Sequence, residues 1–153
     1  MGVMRLLAAI LSILHSTIGL NVIVNTDDGF GSANSRELYR LLKGKGHDVY
    51  LVGPIDNESG VGGRSGFTNL PTLAASTQYD LVPAGAPSYG TDPMDSHIWY
   101  YNGTPAACTF FGLDYIAPVI AKWLKVDLLV TGPNFGTNLG PFLYTLSGTL
   151  GAT

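Results

Sequence analysis

The sequence predicts an α/β domain with a mostly parallel sheet. Two observations carry the prediction: short, almost wholly apolar runs alternate with segments of helical period, and each apolar run empties into a loop of glycine and small polar residues. Strands buried on both faces lose the in/out alternation of half-exposed ones, and strand–helix alternation is the signature of βαβ units.

Leu20 to Asn25 is the first such run. Ser32 or Asn34 can cap a following helix whose apolar stripe is Leu38, Leu41 and Leu42, and Gly44 and Gly46 end it. "HDVYLVGP" then closes a βαβ unit. Further on, "TPAACTFFGLDYIAPVIAKWL" reads as a helix opened by Thr104 and Pro105, with a bend or restart at Pro118, and "VDLLVTGPN" as another buried strand. Between the units, Pro71 to Asp95 has no clear period and is expected to be a long surface loop with one strand near Tyr79 to Val82.

The 153 residues suffice for one domain, and 46% apolar with 12% charged residues is globular composition. A net charge of -3 with eight basic residues argues against duplex nucleic acid or an anionic membrane surface as the main partner. Arg36, Arg40, Lys43 and Lys45 cluster at helical spacing and read as a solvated face. "MGVMRLLAAILSILHSTIG" has a basic start, a short apolar run and small polar residues before Gly19. That is the layout of a signal peptide over residues 1–19, which would make the protein secreted or vacuolar, without stable membrane association once the leader is removed; an uncleaved anchor is the alternative. Cys108 is the single cysteine, so no intrachain disulfide can form. "YTLSGTLGAT" stops as a helix begins, and the chain is expected to be the N-terminal part of a longer protein.

In an open parallel sheet, ligands bind beyond the carboxyl ends of the strands. There the sequence places "NTDDGFG", "PIDNESGVGG", "YNGTPA" and "TGPNFGTNLG". Asp27 and Asp28 stand out, because adjacent carboxylates raise each other's pKa unless a cation joins them. With few basic residues at hand, a hard divalent ion such as Mg²⁺, Mn²⁺ or Ca²⁺ fits. The alternative is a plain turn, with one aspartate capping the helix and the other facing water. Ser147, Gly148 and Thr149 fall at a helix start, where amides suit phosphate or simply a cap.

Together "NTDDGFG", "GHDVYLVGPIDNESGVGG", "YYNGTPAAC", "VDLLVTGPNFGTNLG" and "SGTLGA" resemble, in order and spacing, the SurE family of metal-dependent phosphatases and nucleotidases, in its eukaryotic, acid-phosphatase-like branch. The resemblance implies a Rossmann-like three-layer sandwich over residues 20–153, covering the N-terminal part of the family's domain. It implies a divalent metal, Mg or Mn, held by Asp27, Asp28, Ser59 and Asn134, with the aspartates as the catalytic pair. It places phosphate at Ser147, Gly148 and Thr149, lines the pocket with Gly103 and Thr104, and implies a homo-oligomer at full length. The implied reaction is hydrolysis of phosphate monoesters such as nucleoside monophosphates by a metal-activated water. One departure stands out: the family usually reads Thr-Asn-Asp-Asp-Gly, where this chain has Asn25-Thr26-Asp27-Asp28-Gly29. A non-catalytic metal- or nucleotide-binding protein of the same fold is the rival reading. A dinucleotide-binding domain is weakened because no G-x-G-x-x-G follows the first strand.

Among the remaining candidates, His47 is expected to complement a helix C-terminus, and His97 and Cys108 to be structural. Trp99, Tyr100 and Tyr101 suit either packing or stacking on a base. Asn57 and Asn102 head glycosylation sequons in the predicted active-site loops, where a glycan would crowd a metal.

Overall fold

The computed structural model describes residues 19–141 and 146–153. Residues 1–18, which carry nearly all of the predicted leader, lie outside the described residues. Five strands form one sheet: β1 (Asn21–Asn25), β2 (Asp48–Pro54), β3 (Tyr89–Asp92), β4 (Asp95–Tyr101) and β5 (Leu128–Thr131), in the spatial order β3-β4-β2-β1-β5. The β4-β2-β1-β5 part is parallel, with Ile23 opposite Tyr50 on one side and Leu129 on the other, and β3 adds antiparallel to β4.

Helix α1 (Ala33–Gly44) joins β1 to β2. Helix α2 (Pro105–Phe111) leads from β4 toward β5 and widens into a π-helical stretch over Gly112–Ile120. The two helices cover opposite faces of the sheet. Val22, Val24, Val49 and Leu51 pack with Tyr39 of α1, whereas Ile23 and Val52 pack with Ala107, Cys108 and Ile116 on the other face. This strand alternation produces the expected three-layer sandwich, and burying each aliphatic side chain contributes roughly 1.5–3 kcal/mol.

Several local expectations are corrected by tertiary packing. The strand expected near Tyr79 to Val82 is instead a 3-10 turn at Gln78–Asp80, and the real extra strand is β3, whose Tyr-Gly-Thr-Asp sequence carries little strand signal. In α1, Leu41 is 49% exposed while Tyr39 is buried, because the Tyr39 hydroxyl donates to Asp95 at 2.7 Å at the edge of the sheet. Strand β5 is only half-buried, lying at the edge of the described sheet rather than inside it. The predicted bend at Pro118 appears as the π-helical register, in which Ala121 N–H reaches Ile116 O at 2.8 Å. Proline lacks the N–H and crowds the carbonyl four residues back, and the wider turn accommodates both effects. His47 accepts the backbone N–H of Leu20 at 3.2 Å through Nδ1, so it ties the entry of β1 to the end of α1.

Arg36 departs from the solvated basic face. Its Nε donates to Phe30 O at 3.1 Å, its guanidinium lies 5.7 Å from the Phe30 ring centroid, and it pairs with the buried carboxylate of Asp92. This arginine thus fastens the loop after β1 and the start of α1 to the β3-β4 hairpin. Arg36→Ala leaves Asp92 buried without its cation and is expected to cost about 2 kcal/mol, with Arg36→Lys failing to restore both contacts. A urea unfolding midpoint equal to that of the parent protein would refute this.

Candidate metal and phosphate site

Strand β1 lies at the topological switch point of the parallel sheet. From it the chain crosses over one face to β2, and β5 flanks its other side after a crossing over the opposite face. Loops leaving β1 and β5 therefore diverge at their carboxyl ends and leave a crevice. Asp27 and Asp28 follow β1, and Asn134 follows β5.

Both aspartates are buried, at 2% and 4% exposure, and no lysine, arginine or histidine pairs with either among the described residues. Their partners are neutral. Asp27 Oδ1 accepts the Thr149 hydroxyl at 2.6 Å. Asp28 Oδ2 accepts the Phe135 backbone N–H at 2.6 Å, and Oδ1 the Asn57 side-chain amide at 3.0 Å. Burial, reinforced by Asp27 alongside, lifts the Asp28 carboxyl above its ordinary value against the pull of these two donors. The backbone holds the pair in place: Asp28 N–H donates to Thr26 Oγ1 at 3.1 Å, and Glu58 N–H donates to Asp27 O at 2.7 Å.

Asn134 completes an oxygen-rich cluster. With its amide oxygen toward the site, that atom meets Thr149 Oγ1 at 3.0 Å and faces the Asp27 carboxylate; with the amide turned, the NH₂ lies 3.0 and 3.3 Å from the two Asp27 oxygens and donates to them. The first orientation puts acceptor against acceptor and is stable only with a cation among the oxygens. Among the described residues no group of three or more His, Cys, Asp or Glu side chains gathers. Two carboxylates with neutral oxygens suit a hard divalent ion that keeps open positions for water and phosphate, the usual habit of Mg²⁺.

The other predicted residues are placed as follows. Ser59 is exposed and enters through its backbone, donating N–H to Asn57 Oδ1 at 2.8 Å. Ser147 caps the short helix α3 (Gly148–Gly151), its Oγ accepting Leu150 N–H at 3.1 Å. Gly148 lies against Asp27, where a Cβ would come within 2.7 Å of the Asp27 Cβ. The Thr104 hydroxyl donates to Arg64 O at 2.5 Å and accepts Gly66 N–H at 2.9 Å, so Thr104 pins the 64–66 loop to the start of α2, and Gly103 lies against that loop, where a Cβ would come within 2.7 Å of Gly66 O. Asn25 reaches the same helix, donating to Pro105 O at 2.8 Å and bonding Thr109 Oγ1 at 2.6 Å.

A family model described as "Survival protein SurE" matches residues 22–153. The chain belongs to the SurE family. An acid phosphatase of Yarrowia lipolytica is 47% identical over 131 residues, 86% of this chain and 37% of that protein. A 5'-nucleotidase SurE of Desulfovibrio desulfuricans is 34% identical over 134 residues, 87% of this chain and 44% of that protein. The crystal structure of a SurE protein from Aquifex aeolicus superimposes with a TM-score of 0.60 at 28% identity, over 86% of this chain and 44% of that one. This SurE-family chain thus spans less than half the length of these relatives.

Sequence reasoning missed four contributors to the site. Asn57 was noticed only as a sequon, yet its side chain holds Asp28. Phe135 acts through its backbone, which side-chain identity does not reveal. Gln78 and Tyr79 lie in the stretch without period, yet they line a cavity of about 380 Å³ together with Asp28, Asn57 and Phe135. At Gly148, any side chain collides with Asp27. Gly148→Ala is therefore expected to lower the affinity of the site for Mn²⁺ by about 10–100-fold, the usual effect of displacing a ligand's support, while costing about 1–3 kcal/mol of stability. Isothermal titration with Mn²⁺ reads the first effect, and unchanged affinity would contradict the close approach.

Proposed function

We propose that the full-length protein is a divalent-metal-dependent phosphatase acting on phosphate monoesters such as nucleoside monophosphates. The observation that carries this reading is the buried pair Asp27 and Asp28 at the switch point, without a basic partner among the described residues, facing Asn134 and Thr149. The names of the relatives, acid phosphatase and 5'-nucleotidase, agree with it.

Asp27, Asp28 and the Asn134 amide oxygen would hold the metal, with Ser59 as a further ligand implied by the family pattern. When bound, a divalent cation supplies positive charge to phosphate oxygens and activates water as the nucleophile. The chain's own groups do the positioning. Asn57 and Phe135 N–H fix the Asp28 carboxylate from two sides, and Thr149 fixes Asp27, so both carboxylates are oriented before substrate arrives. Ser147, Gly148 and Thr149 form the side of the site nearest Asp27 and are the proposed phosphate-facing segment. The departure at position 26 leaves this support intact, since Thr26 is fully buried and its hydroxyl holds the Asp28 amide.

The leader, if cleaved after Gly19, would deliver the enzyme to a secretory or vacuolar compartment, and family habit favours a homo-oligomer. Phosphate release from p-nitrophenyl phosphate by the full-length chain, with Mg²⁺ or Mn²⁺ and after EDTA, tests the proposal. Release is expected to need the metal and to fall at least about 100-fold in Asp27→Asn and Asp28→Asn, since loss of even an outer-shell partner costs 10–100-fold. Metal-independent release, or full release by the variants, would refute it. Metal binding without any release would favour the non-catalytic binding protein.

A further inference from the structure

A second cavity, of about 410 Å³, opens along α2 and its π-helical extension and shares no lining residue with the cavity beside Asp28. Its walls are aromatic. The Phe111 ring stacks on Tyr101 and on Tyr115, with centroids 4.9 and 5.2 Å away, and Phe67 and Phe110, 6.1 Å apart, remain 58% and 48% exposed. Asp114 is the one charged residue in the lining. Rings gathered at a surface in this way mark a place where something binds. Asp27, Asp28 and Asn134 take no part in it, so the phosphatase reading leaves it unexplained.

The sequon Asn102-Gly103-Thr104 borders this cavity. It follows directly on Tyr101, and Gly103 lies against that ring, where a Cβ would come within 2.5 Å of Tyr101 Cε1. Thr104 N–H donates to Gly66 O at 3.1 Å and the Thr104 hydroxyl accepts Gly66 N–H at 2.9 Å, which fastens the sequon turn to the residue before Phe67. Asn102 is anchored through its backbone, N–H to Ser88 O at 2.8 Å, and its half-buried carboxamide has no hydrogen-bond partner among the described residues. The fold thus leaves the acceptor nitrogen of this sequon unused, whereas the nitrogen of Asn57 is committed to Asp28. Threonine in the third position also makes Asn102 the better acceptor of the two, since Asn57 heads a sequon that ends in Ser59.

We infer that Asn102 carries an N-linked glycan and that its first sugars lie in the aromatic cavity, against Phe67 and Phe110. The bond forms from Asn102 Nδ2 to the anomeric carbon of an N-acetylglucosamine; the bond from that carbon to the pyrophosphate of a lipid-linked oligosaccharide breaks, and Nδ2 gives up one proton. A volume of about 410 Å³ falls within the range of small-molecule sites. Aromatic faces carry the negative end of the ring quadrupole, and the C–H faces of a pyranose are its weakly positive complement. Asp114 offers acceptor oxygens to sugar hydroxyls. Each such contact is weak, but a sugar tethered to the residue beside Tyr101 meets the rings at a high effective concentration. The inference rests on the secretory reading of the leader and is independent of the phosphatase reading.

The test compares the full-length protein made with its own leader in a yeast and the same chain made in the bacterial cytosol, where no glycan is attached. By mass spectrometry, the peptide of the yeast product that contains Asn102 is expected to carry hexose and N-acetylhexosamine. Asn102→Gln is expected to lower the thermal unfolding midpoint of the yeast product by about 2–4 °C, to leave that of the bacterial product unchanged, and to have less than about half the effect in a Phe67→Ala, Phe110→Ala background. An unmodified Asn102, whether the chain never enters the secretory pathway or the transferase passes it over, overturns the inference. So does a shift of equal size in the bacterial product, or one equal with and without the two rings, which would leave the cavity to another occupant, a second copy of the chain included. No turnover is measured, so an inactive protein whose glycan depends on the rings upholds the inference and refutes the phosphatase reading alone.

Discussion

Two adjacent carboxylates with little access to water are the constraint around which this molecule is arranged. Each must be solvated by the protein, and the basic side chains that usually do so are engaged elsewhere: Arg36 pairs with Asp92 and Lys43 lies near Asp95. The donors that replace them come from three separate segments, Asn57 after β2, Phe135 after β5 and Thr149 in α3. Satisfying Asp27 and Asp28 therefore ties these three segments together at one point. Three neutral donors stabilise two charges only in part, so Asp28 retains a raised pKa, and the hard cation proposed for this site would complete the cluster.

The sheet makes that cluster possible. A strand pairing in parallel on both sides presents its carboxyl end to two diverging loops, and β1 does so with β2 and β5. Its fully buried Val22, Ile23 and Val24 leave no freedom to slip, since a shift of one residue would exchange the two cores and carry Asp27 and Asp28 out of register with Asn134. The rigidity of the hydrophobic layer is thereby transmitted to the placement of the charges.

What the sequence made legible follows the strength of its local signals. Strands β1 and β2 and helix α2 are continuous apolar or periodic segments, and they form where expected. The stretch from Pro71 to Asp95 was opaque because its structure depends on distant partners: Leu73 N–H finds Ala86 O at 2.8 Å, Thr77 N–H finds Val82 O at 2.9 Å, and Thr72 bridges Pro87. No period announces such bonds. The same holds at the site. Asp27, Asp28, Asn134 and the Ser147–Thr149 segment were visible as glycine-flanked polar motifs, and Asp27, Asn134 and Thr149 meet through direct contacts. Asn57 and Phe135 were not, since one resembled a modification signal and the other contributes an atom common to every residue but proline.

Asn57 also brings two readings of the sequence into conflict. As the head of a sequon, its Nδ2 is the atom a glycan would take in a secretory compartment. In the folded protein that same nitrogen donates to Asp28 Oδ1, while Oδ1 of the amide accepts Ser59 N–H and so shapes the loop from the other side. A sugar on Nδ2 would lie in the cavity that Asp28, Gln78 and Phe135 share, and its bulk would force Asn57 away from the carboxylate. Folding and modification therefore compete for one nitrogen, with the solvation of Asp28 at stake. Asn102 meets no such conflict: its described hydrogen bond runs through the backbone, N–H to Ser88 O at 2.8 Å, and involves neither aspartate. The electrostatic demand of the aspartate pair thus reaches beyond the residues that touch it, to which sequon in this chain is compatible with a working site.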